Sequence, residues 1–280
     1  MTRSKPFNNS KPVLYLIATP IGNLKEMSPR ALEVITEMDI IAAEDTRNSF
    51  SLLSNFGIKK EMFSLREHNE IEASKHLLEK IKEGKKVAYM SDAGYPGISD
   101  PGYLLVQEMI KNDVAVSTVS GSSAFINALV ASGLPTDHFY FYGFLPRKEN
   151  EATRALENLV KREETLIFYE APHHIKETLS LLYKVLGNRR AVLARELTKI
   201  NEEYIRGSLE ELTSLDEATI KGEIVLLVEG AAETEVSDQE IIKRLQFMLD
   251  KGVNKKVAIE IVVDELNVRK NRVYKLAETL

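Results

Sequence analysis

The sequence has 280 residues and contains no cysteine. This absence excludes disulfides, zinc–thiolate sites, iron–sulfur clusters and a cysteine nucleophile. Long apolar runs are also missing, since stretches such as residues 224–228 are far shorter than the about 20 residues that a membrane-spanning helix needs. The first twelve residues are polar and lack the apolar core of a secretory signal, so we expect a cytoplasmic protein.

Positive charge is not in excess. Lysine and arginine total 37 against 42 aspartates and glutamates, which gives a formal net charge of -5. This balance does not indicate a protein that binds nucleic acid through its overall charge, although a local basic patch is compatible with it. The patterns G-x-G-x-x-G, G-x-x-x-x-G-K-[ST] and H-E-x-x-H are absent as well. A dinucleotide enzyme or a P-loop NTPase is therefore disfavoured, and we predict no metal site.

Short apolar runs alternate with amphipathic segments through most of the chain. Residues 13–18, 40–43, 87–90 and 114–119 are typical of strands buried on both faces, and helical patterns separate them. This alternation predicts βαβ units and a mainly parallel sheet. A second α/β unit, with a mixed sheet, follows in the sequence.

The pattern predicts two α/β domains and a small helical one. The parts are a flexible arm (1–12), an N-terminal α/β domain (13–134), a C-terminal α/β domain (135–231) and a helical tail domain (232–280). In the tail, Arg269, Lys270 and Arg272 cluster at the start of the last predicted helix, where we expect contacts with RNA phosphate. A solvated basic face and a dimer contact are the alternatives.

Polar and glycine-rich segments follow the predicted strands, at the sheet edge where α/β proteins bind ligands. Residues 19–24 contain Pro20 and Gly22, residues 91–102 contain three glycines and two prolines, and residues 120–124 are small and hydroxylated. Backbone N–H groups in such loops can face a polar ligand. An ordinary turn, a structural loop and helix capping, respectively, are the alternatives.

These segments and several others resemble one family. They read ATPIGNL at 18–24, AAEDTR at 42–47, HNE at 68–70, SDAGYPGISDPG at 91–102, GFLP at 143–146, TLIFYE at 165–170, RELTK at 195–199 and KGE at 221–223. In this order they resemble the 16S rRNA cytidine 2′-O-ribose methyltransferases of the tetrapyrrole methylase (class III) superfamily, over about residues 13–230. Three positions depart from the pattern: Tyr95 replaces threonine, residues 119–124 read VSGSSA instead of VPGPSA, and His174 replaces arginine.

The resemblance implies a homodimeric enzyme that transfers a methyl group from S-adenosylmethionine to the ribose 2′-hydroxyl of a cytidine in the decoding centre of 16S rRNA. Its partner is then 16S rRNA or the 30S subunit. The cofactor is expected between the two α/β domains, at Gly94, Tyr95, Pro96, Gly97, Ile98, Ser99, Ser122, Ser123, Ala124, Glu170, Leu197 and Thr198.

The same motif positions imply catalytic and substrate-binding residues. The expected catalytic set is Asp45, Arg47, Asp92 and Lys199, in which the two cations hold RNA phosphate or stabilise the alkoxide. Asp45, Asp92 and Glu170 are the unranked candidates for a general base. Besides the tail cations, the expected substrate contacts are Pro20, Asn23, Arg47, His68 and Asn69.

Two other functions stay open from the sequence. A methyltransferase of the same fold acting on a small tetrapyrrole is one, although the AAEDTR and HNE segments argue against it. A non-catalytic RNA-binding protein of ribosome assembly is the other, and cofactor binding without turnover would favour it.

Overall fold

The computed structural model describes residues 5–6, 12–232, 237–266 and 268–280. The chain forms two compact units, Met1–Gly230 and Ala231–Leu280. Most of the predicted arm (1–12) and residues 233–236, at the start of the predicted tail domain, lie outside the described residues. Whether the predicted domains fold independently of one another stays a prediction.

The first sheet is parallel and covered by helices on both faces. Its strands are β1 (Val13–Ile17), β2 (Ile40–Ala43), β3 (Glu61–Ser64), β4 (Val87–Met90) and β5 (Ala115–Val119). Their spatial order is β3-β2-β4-β1-β5, and every pairing is parallel. The helices are α1 (Pro29–Glu37), α2 (Thr46–Ser54), α3 (Glu70–Lys82) and α4 (Tyr103–Lys111). Helices α3 and α4 pack on one face and α1 and α2 on the other, which confirms the predicted parallel sheet.

The second sheet is mixed, as predicted. Its strands are β6 (Phe139–Phe144), β7 (Thr165–Glu170), β8 (Arg190–Arg195), β9 (Glu203–Ser208) and β10 (Ile224–Val228). The order is β6-β7-β10-β8-β9, where only β6 and β7 pair in parallel. The helices are α5 (Ala124–Ser132), α6 (Glu149–Glu157), α7 (Ile175–Leu186) and α8 (Leu209–Thr213). Helix α5 follows β5 of the first sheet but packs on the second, where Ala128 and Leu129 meet Val225.

The smaller unit contains three helices, α9 (Asp238–Asp250), α10 (Lys255–Leu266) and α11 (Lys270–Ala277). They pack around an apolar cluster of their own that includes Ile241, Leu245, Ile259 and Val273. Among the described residues of the whole chain, no helix is long and apolar enough to cross a membrane.

Two elements of the first sheet have no counterpart in the predicted pattern. Helix α2 is polar at most positions. Its N-cap residue is Asp45, whose carboxylate accepts a hydrogen bond from the Arg47 N–H (2.9 Å). Strand β3 lies at the edge of the sheet and is only half-buried. Both elements carry few apolar residues, so neither produces the periodicity from which elements are predicted.

Glu70 fixes the beginning of helix α4 from a distance of 32 residues in sequence. Its Oε1 accepts hydrogen bonds from the backbone N–H groups of Gly102 (2.8 Å), Leu104 (2.9 Å) and Leu105 (3.3 Å), and its side chain is buried. The first N–H groups of a helix have no partner within the helix and carry partial positive charge. The carboxylate therefore satisfies three donors and also complements the helix dipole.

The turn that leads into α4 is held by close packing. Gly102 has a φ of 138°, and a Cβ at this position would lie 3.0 Å from the Tyr89 ring and 3.1 Å from the Gly97 nitrogen. The buried Tyr89 also donates its hydroxyl to the Pro101 carbonyl (2.9 Å). The loop of residues 91–102 is thus anchored at its C-terminal end by contacts with Tyr89 of strand β4.

We predict that Glu70→Ala lowers the free energy of unfolding by about 2–4 kcal/mol, because three N–H donors lose their buried acceptor. The matched control is Glu72→Ala, which removes an exposed carboxylate from the same helix and should change the free energy by less than about 0.5 kcal/mol. Urea unfolding monitored by circular dichroism measures both. Equal losses in the two variants would contradict the capping role.

Candidate functional site

A cleft of about 330 Å³ lies where loops of the two sheets meet. The first sheet contributes Ile21 after β1, residues 93–95 and 98–100 after β4, and Ser123 and Ala124 after β5. The second sheet contributes Phe144, residues 169–172, Leu197 and residues 222–225. Ligands of open α/β folds bind beyond the C-terminal ends of strands, and this cleft has that position.

Direct hydrogen bonds hold together the loops on the first-sheet side. Thr19 and Gly94 exchange two backbone hydrogen bonds (2.9 and 3.1 Å). The Gly121 N–H donates to the Tyr95 hydroxyl (3.2 Å), so the tyrosine that departs from the family pattern joins the loop after β4 to the loop after β5. Ser99, in the same loop, has a left-handed backbone with φ of 63°. Backbone strain of this kind is found where a surrounding structure fixes a functional loop.

The cleft contains carboxyl groups whose protonation depends on their surroundings. Burial raises the pKa of Asp100 to about 7, and the nearby carboxylates of Glu44 and Asp92 add to the rise. Burial, followed by repulsion from Asp92, also raises the pKa of Glu44. Burial raises the pKa of the Tyr169 hydroxyl on the opposite wall to about 12. Among the groups that line the cleft, Asp100 therefore loses its proton near neutral pH.

The second-sheet side of the cleft depends on the loop that carries Leu197. Its neighbours Glu196 and Thr198 both have left-handed backbones, with φ of 51° and 68°. The Lys199 Nζ contacts the carboxylates of Glu196 (2.9 Å) and Glu223 (3.1 Å). A β-branched residue rarely adopts a positive φ, so the loop is constrained at this place.

Gly22, after β1, packs directly against that loop. A Cβ at Gly22 would lie 2.6 Å from the Lys199 Cγ and 3.0 Å from the Thr198 Oγ1, so a larger residue here would displace the Lys199 side chain. The Thr198 Oγ1 is buried and forms no hydrogen bond with the described residues. The lysine therefore connects the turn after β1 with two carboxylates of the second-sheet side.

A polar cluster adjoins the cleft at the ends of β2 and β4. Asp92 accepts hydrogen bonds from the Asp45 N–H (3.3 Å) and from the Asn48 amide (2.6 Å). Asp45 forms a close ion pair with Arg47 (2.6 Å) and a longer one with Arg66 (3.7 Å). Its hydrogen bonds with Arg47 hold the pKa of Asp45 well below its ordinary value. Asp45 is therefore a carboxylate that does not take up a proton near neutral pH.

Comparison with known proteins identifies the family. Residues 13–213 match the family model of Tetrapyrrole (Corrin/Porphyrin) Methylases. The chain belongs to the tetrapyrrole methylase family.

Two curated relatives are similar over almost their whole length. This tetrapyrrole methylase is 44% identical over 276 residues to the "Ribosomal RNA small subunit methyltransferase I" of Halalkalibacterium halodurans, covering 96% of this chain and 95% of the relative. It is 40% identical over 284 residues to the protein of the same name from Bacillus subtilis, covering 98% and 97%. Among solved structures, the methyltransferase CobJ superposes with a TM-score of 0.59 at 19% identity, over 81% of this chain and 98% of CobJ. That likeness shows the fold.

The structure brings together most of the predicted cofactor residues. Eight of them line the cleft: Gly94, Tyr95, Ile98, Ser99, Ser123, Ala124, Glu170 and Leu197. The other four, Pro96, Gly97, Ser122 and Thr198, do not line it. Ser122 instead donates a hydrogen bond to Glu26 (2.5 Å), and Pro96 is buried.

The predicted catalytic residues lie in two groups. Asp45, Arg47 and Asp92 share the polar cluster after β2 and β4, whereas Lys199 lies on the second-sheet side. Glu170 lines the cleft, but its two oxygens accept hydrogen bonds from the Ala171 N–H (2.7 Å) and the Thr178 hydroxyl (2.5 Å). These assignments stay predictions.

The predicted substrate residues divide between exposed and internally bonded side chains. Arg47 and His68 are exposed, and Pro20 is buried. The Asn69 side chain accepts from the Arg66 N–H (2.7 Å) and donates to the Ser64 carbonyl (3.3 Å), while Asn23 caps a short 3-10 turn. Asn69 and Asn23 thus stabilise their own loops, and their contact with substrate stays a prediction.

The tail cations are partly neutralised within the smaller unit. Lys270 lies 3.6 Å from Glu260, and Arg272 contacts Asp238 at 2.7 Å. Arg269 is the N-cap residue of α11. The expected phosphate contact of this cluster stays a prediction, with less free charge than the sequence alone indicates.

Sequence reasoning missed eleven of the residues that line the cleft, three of which have ionisable side chains. Asp100, Tyr169 and Glu223 all line it. Each lies within one of the motifs described above, namely residues 91–102, 165–170 and 221–223, so the sequence indicated the segments but not these side chains.

No group of three or more His, Asp or Glu side chains in the described part of the chain is arranged to hold a metal ion.

We predict that Lys199→Met, which keeps most of the aliphatic side chain over Gly22, lowers the free energy of unfolding by about 1 kcal/mol because Glu196 and Glu223 lose their shared cation. The control is Lys80→Met, which breaks an ion pair with Glu83 of the same i,i+3 spacing on α3 and should cost less than about 0.5 kcal/mol. Thermal unfolding at low salt compares them. A larger loss in the control would assign Lys199 no special role.

Proposed function

We propose that this protein transfers a methyl group from S-adenosylmethionine to the ribose 2′-hydroxyl of a cytidine in 16S rRNA. The observation that carries the substrate is the 44% identity, over 96% of this chain, to a ribosomal RNA small subunit methyltransferase. Family membership and the cleft between the sheets support the methyl donor. Action in the cytoplasm, as a homodimer and on 16S rRNA or the 30S subunit is part of the same proposal.

The lining of the cleft fits the cofactor. Its volume of about 330 Å³ falls at the lower end of the range for small-molecule sites, about 300–1,000 Å³. Apolar groups such as Ile21, Leu197 and Val225 would cover the adenosine, while Asp100 and Glu223 offer negative charge to a cation. S-adenosylmethionine, when bound, supplies a sulfonium-activated methyl group for in-line attack by the ribose oxygen.

The chain's own contribution is mainly alignment. Good positioning alone can supply about 7–11 kcal/mol of a barrier. All three candidate bases are already engaged: Asp45 is held ionised by Arg47, and Asp92 and Glu170 each accept two hydrogen bonds. These contacts favour roles in holding the loops around the reacting groups rather than in taking the proton.

The tetrapyrrole alternative is compatible with the family match, but no relative of 40% identity or more reported above has a tetrapyrrole in its name. The likeness to CobJ is at 19% identity, which bears on the fold alone. The non-catalytic alternative differs in one outcome, since it allows cofactor binding but no methyl transfer.

The first test is methyl transfer from labelled S-adenosylmethionine to 30S subunits and to protein-free 16S rRNA, both isolated from cells that lack the enzyme. We expect label in RNA, and nuclease digestion followed by mass spectrometry should identify 2′-O-methylcytidine. Label on a base, or tight cofactor binding with no transfer to either RNA, would reject the proposal.

The second test concerns the charge of Asp100. A cationic ligand favours the ionised carboxylate, which predominates above the pKa of about 7. We therefore predict that S-adenosylmethionine binds about ten-fold more tightly at pH 8 than at pH 6, apart from changes in the ligand's own charge. The Asp100→Asn variant should bind S-adenosylmethionine weakly at both pH 6 and pH 8 and should lack the ten-fold difference that comes from ionisation of Asp100. Calorimetry on both proteins measures the difference, and identical pH profiles would exclude Asp100 from the site.

A further inference from the structure

A second cavity, of about 490 Å³, adjoins the cofactor cleft. The two cavities share Phe144 and Glu170 and are therefore neighbours. The second cavity lies beyond the C-terminal end of β6 and along α6 and α7. Of the predicted catalytic and binding residues Glu170 alone lies there, and its two oxygens are occupied. Residues 144–146 of the GFLP motif and His174 also line the cavity.

An exposed aromatic ring separates the two cavities. Phe144 is 57% exposed, and its ring centre lies 5.5 Å from that of Tyr169 with the planes tilted by 59°. This tilt leaves a face of the phenylalanine uncovered by the tyrosine. Exposed aromatic faces next to a reaction site are the groups on which unpaired nucleobases stack.

Three exposed cations line this cavity. Arg147, Lys176 and Lys184 are exposed there, and Lys184 lies 3.9 Å from Glu149. Neither Arg147 nor Lys176 forms an ion pair within the described part of the chain. Glu149, Glu170 and Glu177 also line the cavity, so its formal charges balance, and Arg147 and Lys176 are the two lining cations without a fixed partner among the described residues.

His174 lines the same cavity. It occupies the position at which the family pattern has arginine, so this chain lacks one permanent positive charge there. With histidine in place of the arginine, binding of an anion in this cavity depends mainly on Arg147 and Lys176.

We infer that this cavity is a subsite for single-stranded RNA beside the target nucleotide, where Phe144 stacks on a base and Arg147 and Lys176 hold a backbone phosphate. The inference rests on the proposed function and adds a surface for the flanking nucleotides. RNA is favoured over a protein partner because an exposed ring and two unpaired cations lie together at the mouth of the methyl-donor cleft.

The test is the double variant Arg147→Gln/Lys176→Gln. We expect its affinity for protein-free 16S rRNA to fall about ten-fold at moderate salt, and the slope of log affinity against log salt to decrease by about 1–2 units. The affinity for S-adenosylmethionine should stay within two-fold, since neither side chain lines the cleft. The matched control is Lys75→Gln/Lys111→Gln, which removes two exposed charges from α3 and α4 and should leave both affinities unchanged.

A second pair of variants tests stacking. Phe144→Ala should raise the KM for RNA by several-fold, and Phe144→Trp should restore it, because stacking needs a flat ring rather than a particular side chain. Equal effects of both variants on cofactor affinity, with an unchanged KM for RNA, would place Phe144 in the cofactor site only and overturn its assigned role.

The outcomes separate the subsite from the enzyme's activity. Unchanged RNA affinity and salt slope in the double variant would overturn the subsite even where the wild-type protein methylates RNA. A raised KM for 30S subunits with unaltered binding of protein-free rRNA would also overturn it, in favour of contact with a ribosomal protein. Absence of methyl transfer by the wild-type protein would reject the proposed function, while RNA binding is read independently.

Discussion

The hydrogen bonds of the buried Glu70 carboxylate are the interaction on which the cleft-facing side of the first sheet depends. Removing a carboxylate from water costs several kcal/mol, and three N–H groups at the start of α4 offset that cost. Because α4 begins directly after residues 91–102, fixing its first turn also fixes the end of the loop that carries Ser99 and Asp100. Glu70 of the HNE segment thus acts on the cleft through the start of helix α4.

The two sheets are coupled through the turn after β1. Thr19 pairs with Gly94, Ile21 packs in the apolar cluster of the second sheet, and Gly22 lies under Lys199. A six-residue turn therefore contacts the loop after β4 on one side and the loop after β8 on the other. This position accounts for both special residues of the segment. Pro20 favours a sharp bend of the backbone, and Gly22 allows the close contact with Lys199.

The sequence predicted the strands of the first sheet best where both faces are buried. Residues 40–43 and 87–90 are entirely apolar or nearly so, and β2 and β4 have these bounds. The edge strand β3 and the polar helix α2 were missed because they bury few side chains. For the site, motifs located the loops, but they did not separate residues that face the cleft, such as Ser123, from neighbours such as Ser122, whose hydroxyl binds Glu26. That distinction depends on side-chain direction and long-range partners, which a local pattern does not contain.

Charge is distributed in a way that separates the two kinds of ligand. Asp100 and Glu223 line the cleft, so its carboxylates suit a sulfonium cation better than a phosphate, because like charges repel. Under the proposed function, an RNA substrate would place its target ribose near the cleft while its phosphates stay outside it. Cations are accordingly useful at the rim and not inside, and Lys199, which lies beside the cleft, is neutralised by Glu196 and Glu223. Arg147 and Lys176 lie outside the cleft and without fixed partners, where contact with phosphate does not compete with binding of the methyl donor.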